Sequence, residues 1–355
     1  MAYYFFPPLI WHLYCVFLRP KLTGYDQALI SSLLLFPLFA VPVLRGLVGT
    51  DTASYISSIT SILDGSNIED VFEPGFYLLI AVFSKLSSNP DLIVATISGL
   101  ASLLLFAASK KWGGSAAFFS SLIVPIYFFD FTMNALRVGL AFPLMVFSAY
   151  FWEEDKKFRS ILFLLAGAAL QLTSIAILPL LLIRYFLKTS FTNKIIAASI
   201  FSVLIALFIP YVTERAASKF ELYSEYASPT SLSGIVPLLL AFIFLIISHL
   251  PKKNGEYSSD EIVKTNTILT LLQVAFYIVT TFSYAGIRFQ MLTLFVQMLF
   301  WQRYWLHMRF PTSLKITILS SLFLLTSLWR LRGYHIESIY PTTLSPFLPY
   351  RFFWQ

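Results

Sequence analysis

Apolar segments long enough to cross a bilayer recur along this 355-residue chain, and they leave few folds open to it. A membrane span needs about 20 mostly apolar residues, with roughly 17 tolerated. Candidates fall near residues 3–18, 28–44, 91–108, 114–131, 135–152, 158–171, 174–187, 193–212, 234–250, 263–285, 287–305 and 316–331. In lipid the backbone must satisfy its own hydrogen bonds, so such runs read as helices. Hydrophobic residues make up 57% of the chain and charged residues only 12%. A soluble domain carries about 25% charged residues, and no water-soluble fold of this size hides so much apolar surface. The expected fold is therefore all-α, a polytopic transmembrane helical bundle of about 12 spans. With no internal repeat and no low-complexity linker, residues 1–355 read as a single integral membrane domain.

Charge sets the expected topology. The net charge of +7 is not a nucleic-acid signature, because the basic residues cluster in short turns between apolar runs. Segment 74–88 is apolar but barely long enough to cross. If it stays on the outer face and the N-terminus is outside, about 16 Lys and Arg fall on the cytoplasmic side and 9 outside. If it crosses, the balance reverses, against the positive-inside tendency. An interfacial helix in the first outer loop follows, with outer loops near 45–90, 213–233 and 332–355. The N-terminus lacks the basic region and cleavage site of a secretory signal, so the first apolar stretch is expected to be a retained span. The single cysteine, Cys15, allows no intrachain disulfide. Four scattered histidines form no metal-ligand spacing, and neither a metal nor a cofactor is expected.

Long outer loops concentrate function, and three segments there carry chemistry. The first runs from Arg45 through Gly49, Thr50, Asp51 and Thr52 to Tyr55, with Glu73 and Pro74 further on. Asp51 is either a site carboxylate, a solvated turn residue or the cap of a local helix, and Glu73 either a site residue or a helix cap. The second is Asn134 to Arg137. An arginine in the first turn of an apolar helix opposes the helix dipole, so it either faces a polar cavity or snorkels and pairs with Asp130. The third is Tyr284 to Phe289, where Arg288 repeats the pattern and could equally be an interfacial anchor. The terminal segment 332–355 is rich in Tyr, Pro and Arg and adds His335 and Glu337; it reads as a lid or as an aromatic tail at the membrane surface. Arginines can grip a lipid diphosphate bidentately and stabilise its charge as it leaves. A carboxylate can take the proton of an attacking sugar hydroxyl.

The succession R-x-x-x-G-T-D-T-x-x-Y (Arg45 to Tyr55), E-P-G-F-Y-L-L (Glu73 to Leu79) and N-x-x-R (Asn134 to Arg137) resembles the EpsG-like family of exopolysaccharide proteins. That family is similar to the Wzy-type O-antigen and capsule polymerases. The resemblance spreads over roughly residues 40–190; beyond that, hydropathy, Arg288 and Pro349-Tyr350 carry it. It implies a GT-C-like fold and a glycosyltransferase of the bacterial cytoplasmic (inner) membrane, with its active site facing the periplasm or cell exterior. The implied activity joins undecaprenyl-diphosphate-linked oligosaccharide repeat units, with no nucleotide-sugar donor. Expected partners are the lipid-linked donor and acceptor glycans, membrane lipid, a chain-length regulator and a flippase, and no nucleic acid. Carried over by position, Asp51, Arg137 and Arg288 are the expected catalytic residues. Arg45, Tyr55, Glu73, Asn134, Tyr284 and His335 are the expected substrate-binding ones. Family members often carry a histidine where this chain has Gln171-Leu172-Thr173-Ser174, and a glutamine cannot serve as a base. Two alternatives stand beside this reading: a GT-C transferase using a polyprenyl-monophosphate sugar, and a lipid-linked oligosaccharide flippase. The second is disfavoured by the lack of repeat symmetry and of mid-span acids.

Overall fold

A computed structural model describes residues 1–65, 72–188, 234–250, 259–281, 285–339 and 345–354. The span expected at 193–212, the loop at 213–233 and Tyr284 lie outside the described residues. Among the described residues the regular structure is helical, without a strand; one isolated bridge pairs Arg45 with Phe352. Four helices are long and apolar enough to cross a membrane: α2 (Gly24–Val43), α5 (Pro90–Trp112), α12 (Ser259–Thr280) and α14 (Thr312–Ile339). The remaining elements are α1 (Ala2–Leu13), α3 (Thr52–Leu63), α4 (Pro74–Ser84), α6 (116–134), α7 (Leu136–Glu153), α8 (Lys157–Leu170), α9 (Ile177–Leu181), α10 (Ile183–Lys188), α11 (Ile235–Ser248) and α13 (Ala285–Tyr304). Large apolar side chains such as Leu33, Phe36, Phe158, Leu165 and Leu328 stay exposed. A lipid-facing surface accounts for such residues, and the chain is a membrane protein.

The helices group into two compact units: residues 1–178 with 310–355, and residues 179–309. In the second unit α11, α12 and α13 pack together. Their contact is lined by fully buried amides: Gln273 donates to the Gln290 carbonyl (2.9 Å), and Asn266 accepts from Trp301 Nε1 (2.6 Å). Without a hydrophobic drive between helices in lipid, such bonds are the available glue.

In the first unit α7 lies along α5 and α8, and α14 packs against the middle of α6. Pro125 sits in the centre of α6 and removes a backbone donor there, and the helix widens to π geometry over Phe119–Phe128. His12 on α1 is buried between hydroxyls, 3.1 Å from Ser121 Oγ and 3.2 Å from Ser320 Oγ, and so bridges three helices. The helix expected near 74–88 forms as α4. The local helix that Asp51 was one candidate to cap also forms, as α3. It buries Thr52, Tyr55 and Ile59, one face at i, i+3 and i+7, against α5. Together α3 and α4 seal the end of the bundle through Tyr55, Ile59, Phe76 and Ile80 packed on Ile93, Ile97, Leu136 and Leu140. The last span also runs further than the sequence indicated. Residues 332–339, expected in a loop, extend α14 by two turns.

Two glycines permit the backbone crossings that shape this end. Gly49 has φ +101°, and a Cβ there would lie 2.7 Å from the Met133 carbonyl oxygen. At Gly139 a Cβ would lie 1.9 Å from the Phe131 oxygen, so α7 can fold back on the end of α6 only with no side chain there. Gly139→Ala should cost more than the ~1–3 kcal/mol usual for overpacking, because the obstacle is backbone. A wild-type melting temperature for the purified variant would refute this crossing.

Candidate active site

Four chain segments converge at one end of the first unit: the stretch after α2, the start of α4, the α6–α7 junction and the end of α14. The junction organises the rest. Its last turn, Asp130–Asn134, is π-helical and closes with the Ala135 N–H on the Asp130 carbonyl (2.7 Å). Ala135 then leaves helical geometry (φ −86°, ψ 61°), and α7 begins without a side-chain cap. This break turns Asn134 toward the first loop. Its Oδ1 accepts from the Thr50 hydroxyl and from the Asp51 backbone N–H (2.9 Å). Asp51 occupies the N-cap position of α3, yet its side chain makes no capping bond, and the residue is exposed. Ser345 secures the same turn from the C-terminal segment: its hydroxyl donates to the Gly49 carbonyl (2.6 Å) and accepts from the Ala53 N–H (3.2 Å).

Arg137 sits one residue into α7 and pairs with Glu73 at 2.6 Å, Nη1 to Oε2, with 24% and 12% of the two side chains exposed. Its guanidinium also lies over the Phe72 ring, 5.4 Å from the centroid. Glu73 therefore does not cap α4 by its side chain, which was one sequence reading. Nor does Arg137 pair with Asp130. In an unbroken helix residues 130 and 137 would share a face, but the break at Ala135 separates them, and Asp130 instead pairs with Arg330 of α14. Tyr55 is buried against Phe72 and Phe76. Burial raises its hydroxyl above the usual tyrosine value; the Arg137 charge opposes the shift and the Asp51 charge adds to it. Tyr55 is thus a neutral phenol packed behind Arg137.

Arg45 occupies a different setting from an open phosphate ligand. It is 3% exposed, and its Nη1 donates to the Thr132 carbonyl (2.7 Å), Ser98 Oγ (2.8 Å) and the Pro42 carbonyl (3.0 Å). Burial lowers its pKa to about 10. The C-terminal segment covers it through the Arg45–Phe352 bridge and the Gly46 N–H on the Arg351 carbonyl (2.9 Å). In this position Arg45 ties α2, α5 and α6 together beneath the site. Gln171 ends α8 and donates to Thr173 Oγ1 (2.7 Å). It lies two residues past Ala169, whose backbone abuts Gly75 at the start of α4. His335 is exposed on α14. Arg288 belongs to the second unit, exposed in the first turn of α13.

Asp51, Tyr55, Glu73, Asn134 and Arg137 thus come together, while Arg288 lies in the other unit. Reading the sequence missed the Asp130–Arg330 pair and Tyr334, and noted Glu337 only as part of the terminal segment. Their spacing at i, i+4 and i+7 was visible, but it defines a face only once 330–339 is known to be helical.

Fold and site together define an all-helical membrane protein with an ion-paired polar site at one end of its bundle. A profile of the EpsG family matches residues 28–352, and the chain belongs to that family, which is of the exopolysaccharide-polymerase type. No similar protein was found among curated sequences and no similar structure among solved ones.

Proposed function

We propose that this chain is a GT-C-like, Wzy-type polymerase that joins undecaprenyl-diphosphate-linked repeat units at the outer face of the bacterial cytoplasmic membrane. One observation supports this above the others: a partly exposed guanidinium, Arg137, oriented by Glu73 beside an exposed carboxylate, Asp51, whose backbone is fixed by Asn134. Lipid-linked transfer needs a cation for the departing diphosphate and a base for the incoming hydroxyl.

In this reading the acceptor hydroxyl oxygen attacks the donor's anomeric carbon. The bond from that carbon to the diphosphate oxygen breaks, and the lipid diphosphate leaves with the electron pair. Asp51 receives the hydroxyl proton. One Arg137 nitrogen is committed to Glu73, which holds the planar fork in place. The remaining donors of a guanidinium suit two phosphate oxygens. Arg288, at a helix start, is proposed as a further phosphate ligand on its chemistry alone.

Purified protein in vesicles should build a ladder from lipid-diphosphate repeat units and none from polyprenyl-monophosphate sugars. The reverse pattern would favour the monophosphate transferase. Translocation without new glycosidic bonds would favour a flippase. Sidedness is a separate check. In a Cys15→Ser background, Asp51→Cys and His335→Cys should react with an impermeant maleimide from one side, and Glu154→Cys, at the far end of α7, from the other. Labelling of positions 51 and 154 from the same side would remove the proposed arrangement.

A further inference from the structure

The Asp130–Arg330 pair and the end of α14 are not used by the scheme above. Arg330, Tyr334 and Glu337 share one face of α14. The Arg330 guanidinium pairs with Asp130 and lies 5.1 Å from the centroid of the Tyr334 ring. Glu337, half-buried one turn further on, is within electrostatic range of Arg330, Asp130 and Asp51. Residues 345–348 tie the two together, Ser345 to the Gly49–Ala53 turn and the Leu348 N–H to Ser338 Oγ (3.0 Å), so Asp51 and Glu337 lie at the same end of the unit, on α3 and α14. Beside Glu337, the Tyr334 hydroxyl and Arg330 Nε are buried and complete no hydrogen bond. Tyr334 is only 2% exposed, and an unfilled polar group so placed calls for a water or a ligand hydroxyl.

Charge assigns the two sides of the site to different substrate groups. On one side Arg137 and Glu73 balance. On the other, Asp130 and Glu337 set two carboxylates against one guanidinium, Arg330, and Asp51 adds a third between the two sides. A diphosphate is repelled by that excess of negative charge, whereas a polyhydroxyl group donates hydrogen bonds to it. Building on the polymerase reading, we infer that Glu337 is a specificity-determining residue that accepts hydrogen bonds from the hydroxyls of the acceptor sugar and turns one of them toward Asp51. Tyr334 and Arg330 complete that subsite from the same helix face.

The test uses the full chain in vesicles, with the lipid-diphosphate repeat unit as donor and the same oligosaccharide, released from its lipid, as soluble acceptor. Undecaprenyl diphosphate serves as a competitor that reports donor affinity. Glu337→Gln should raise the acceptor KM roughly 10- to 100-fold, the ratio for losing a hydrogen bond to a charged group, and leave competitor affinity unchanged. Glu337→Asp, which keeps the charge, should fall between wild type and Gln; it also carries the test if the Gln variant is not monodisperse. An unchanged acceptor KM overturns the inference while the polymerase reading stands. Equal losses in acceptor KM and competitor affinity overturn it in favour of a structural role. If the wild-type protein makes no ladder from lipid-diphosphate units, the polymerase reading itself fails and this inference falls with it.

Discussion

Asp51→Asn should reduce polymer formation roughly 10²- to 10⁴-fold, the range for removing a general base, while the protein inserts and purifies as wild type does. The structure supports the second half of this expectation as strongly as the first. The turn at Asp51 is held by backbone and neighbours: the Asp51 N–H bonds Asn134, and Ser345 bonds Gly49 and Ala53. The side chain makes no capping bond to α3. Replacing a carboxylate oxygen by an amide nitrogen keeps these backbone and neighbour bonds in place and removes the proton acceptor. Initial rates of ladder formation, beside a melting curve, separate the two effects. Wild-type turnover in Asp51→Asn would eliminate Asp51 as the base.

Arg137→Lys should cost roughly 10²-fold or more in rate, comparable with deleting one donor from an oxyanion site. A lysine can still pair with Glu73, so the charge balance survives. It cannot present a planar fork to two phosphate oxygens while holding that pair. The loss should therefore appear in turnover and in undecaprenyl-diphosphate affinity, and Glu73→Gln should share part of it by releasing the guanidinium. Glu73→Gln should also destabilise the protein, because it leaves a largely buried arginine without its counter-charge. Wild-type chain length and rate in Arg137→Lys would rule out the diphosphate role.

Much of the helical framework was legible in the sequence, because span length and apolar content are local properties. The helices α2, α5, α7 and α8 begin and end close to the expected positions, and α4 forms in the segment that the charge balance made an interfacial helix. The miss at 332–339 has a physical cause. Arg330, Arg332, His335 and Glu337 lower the local hydropathy, and hydropathy reports lipid contact, not helix formation. A helix continues through polar residues when its own face is paired, as Arg330 is with Asp130. The sequence marks α3 only as a local helix after Asp51, because it is amphipathic over only twelve residues, too short for a span to be sought there.

Sequence order and residue type by themselves determined that this chain folds as membrane helices, and they singled out Asp51, Glu73, Asn134 and Arg137 as oddly placed polar residues among apolar runs. Only the tertiary structure decided who pairs with whom. A one-residue break at Ala135, made possible by the bare backbone of Gly139, swings Arg137 to Glu73 and leaves Asp130 to Arg330. Ion pairing depends on where side chains end up after the helices cross, and no spacing along the chain encodes that crossing.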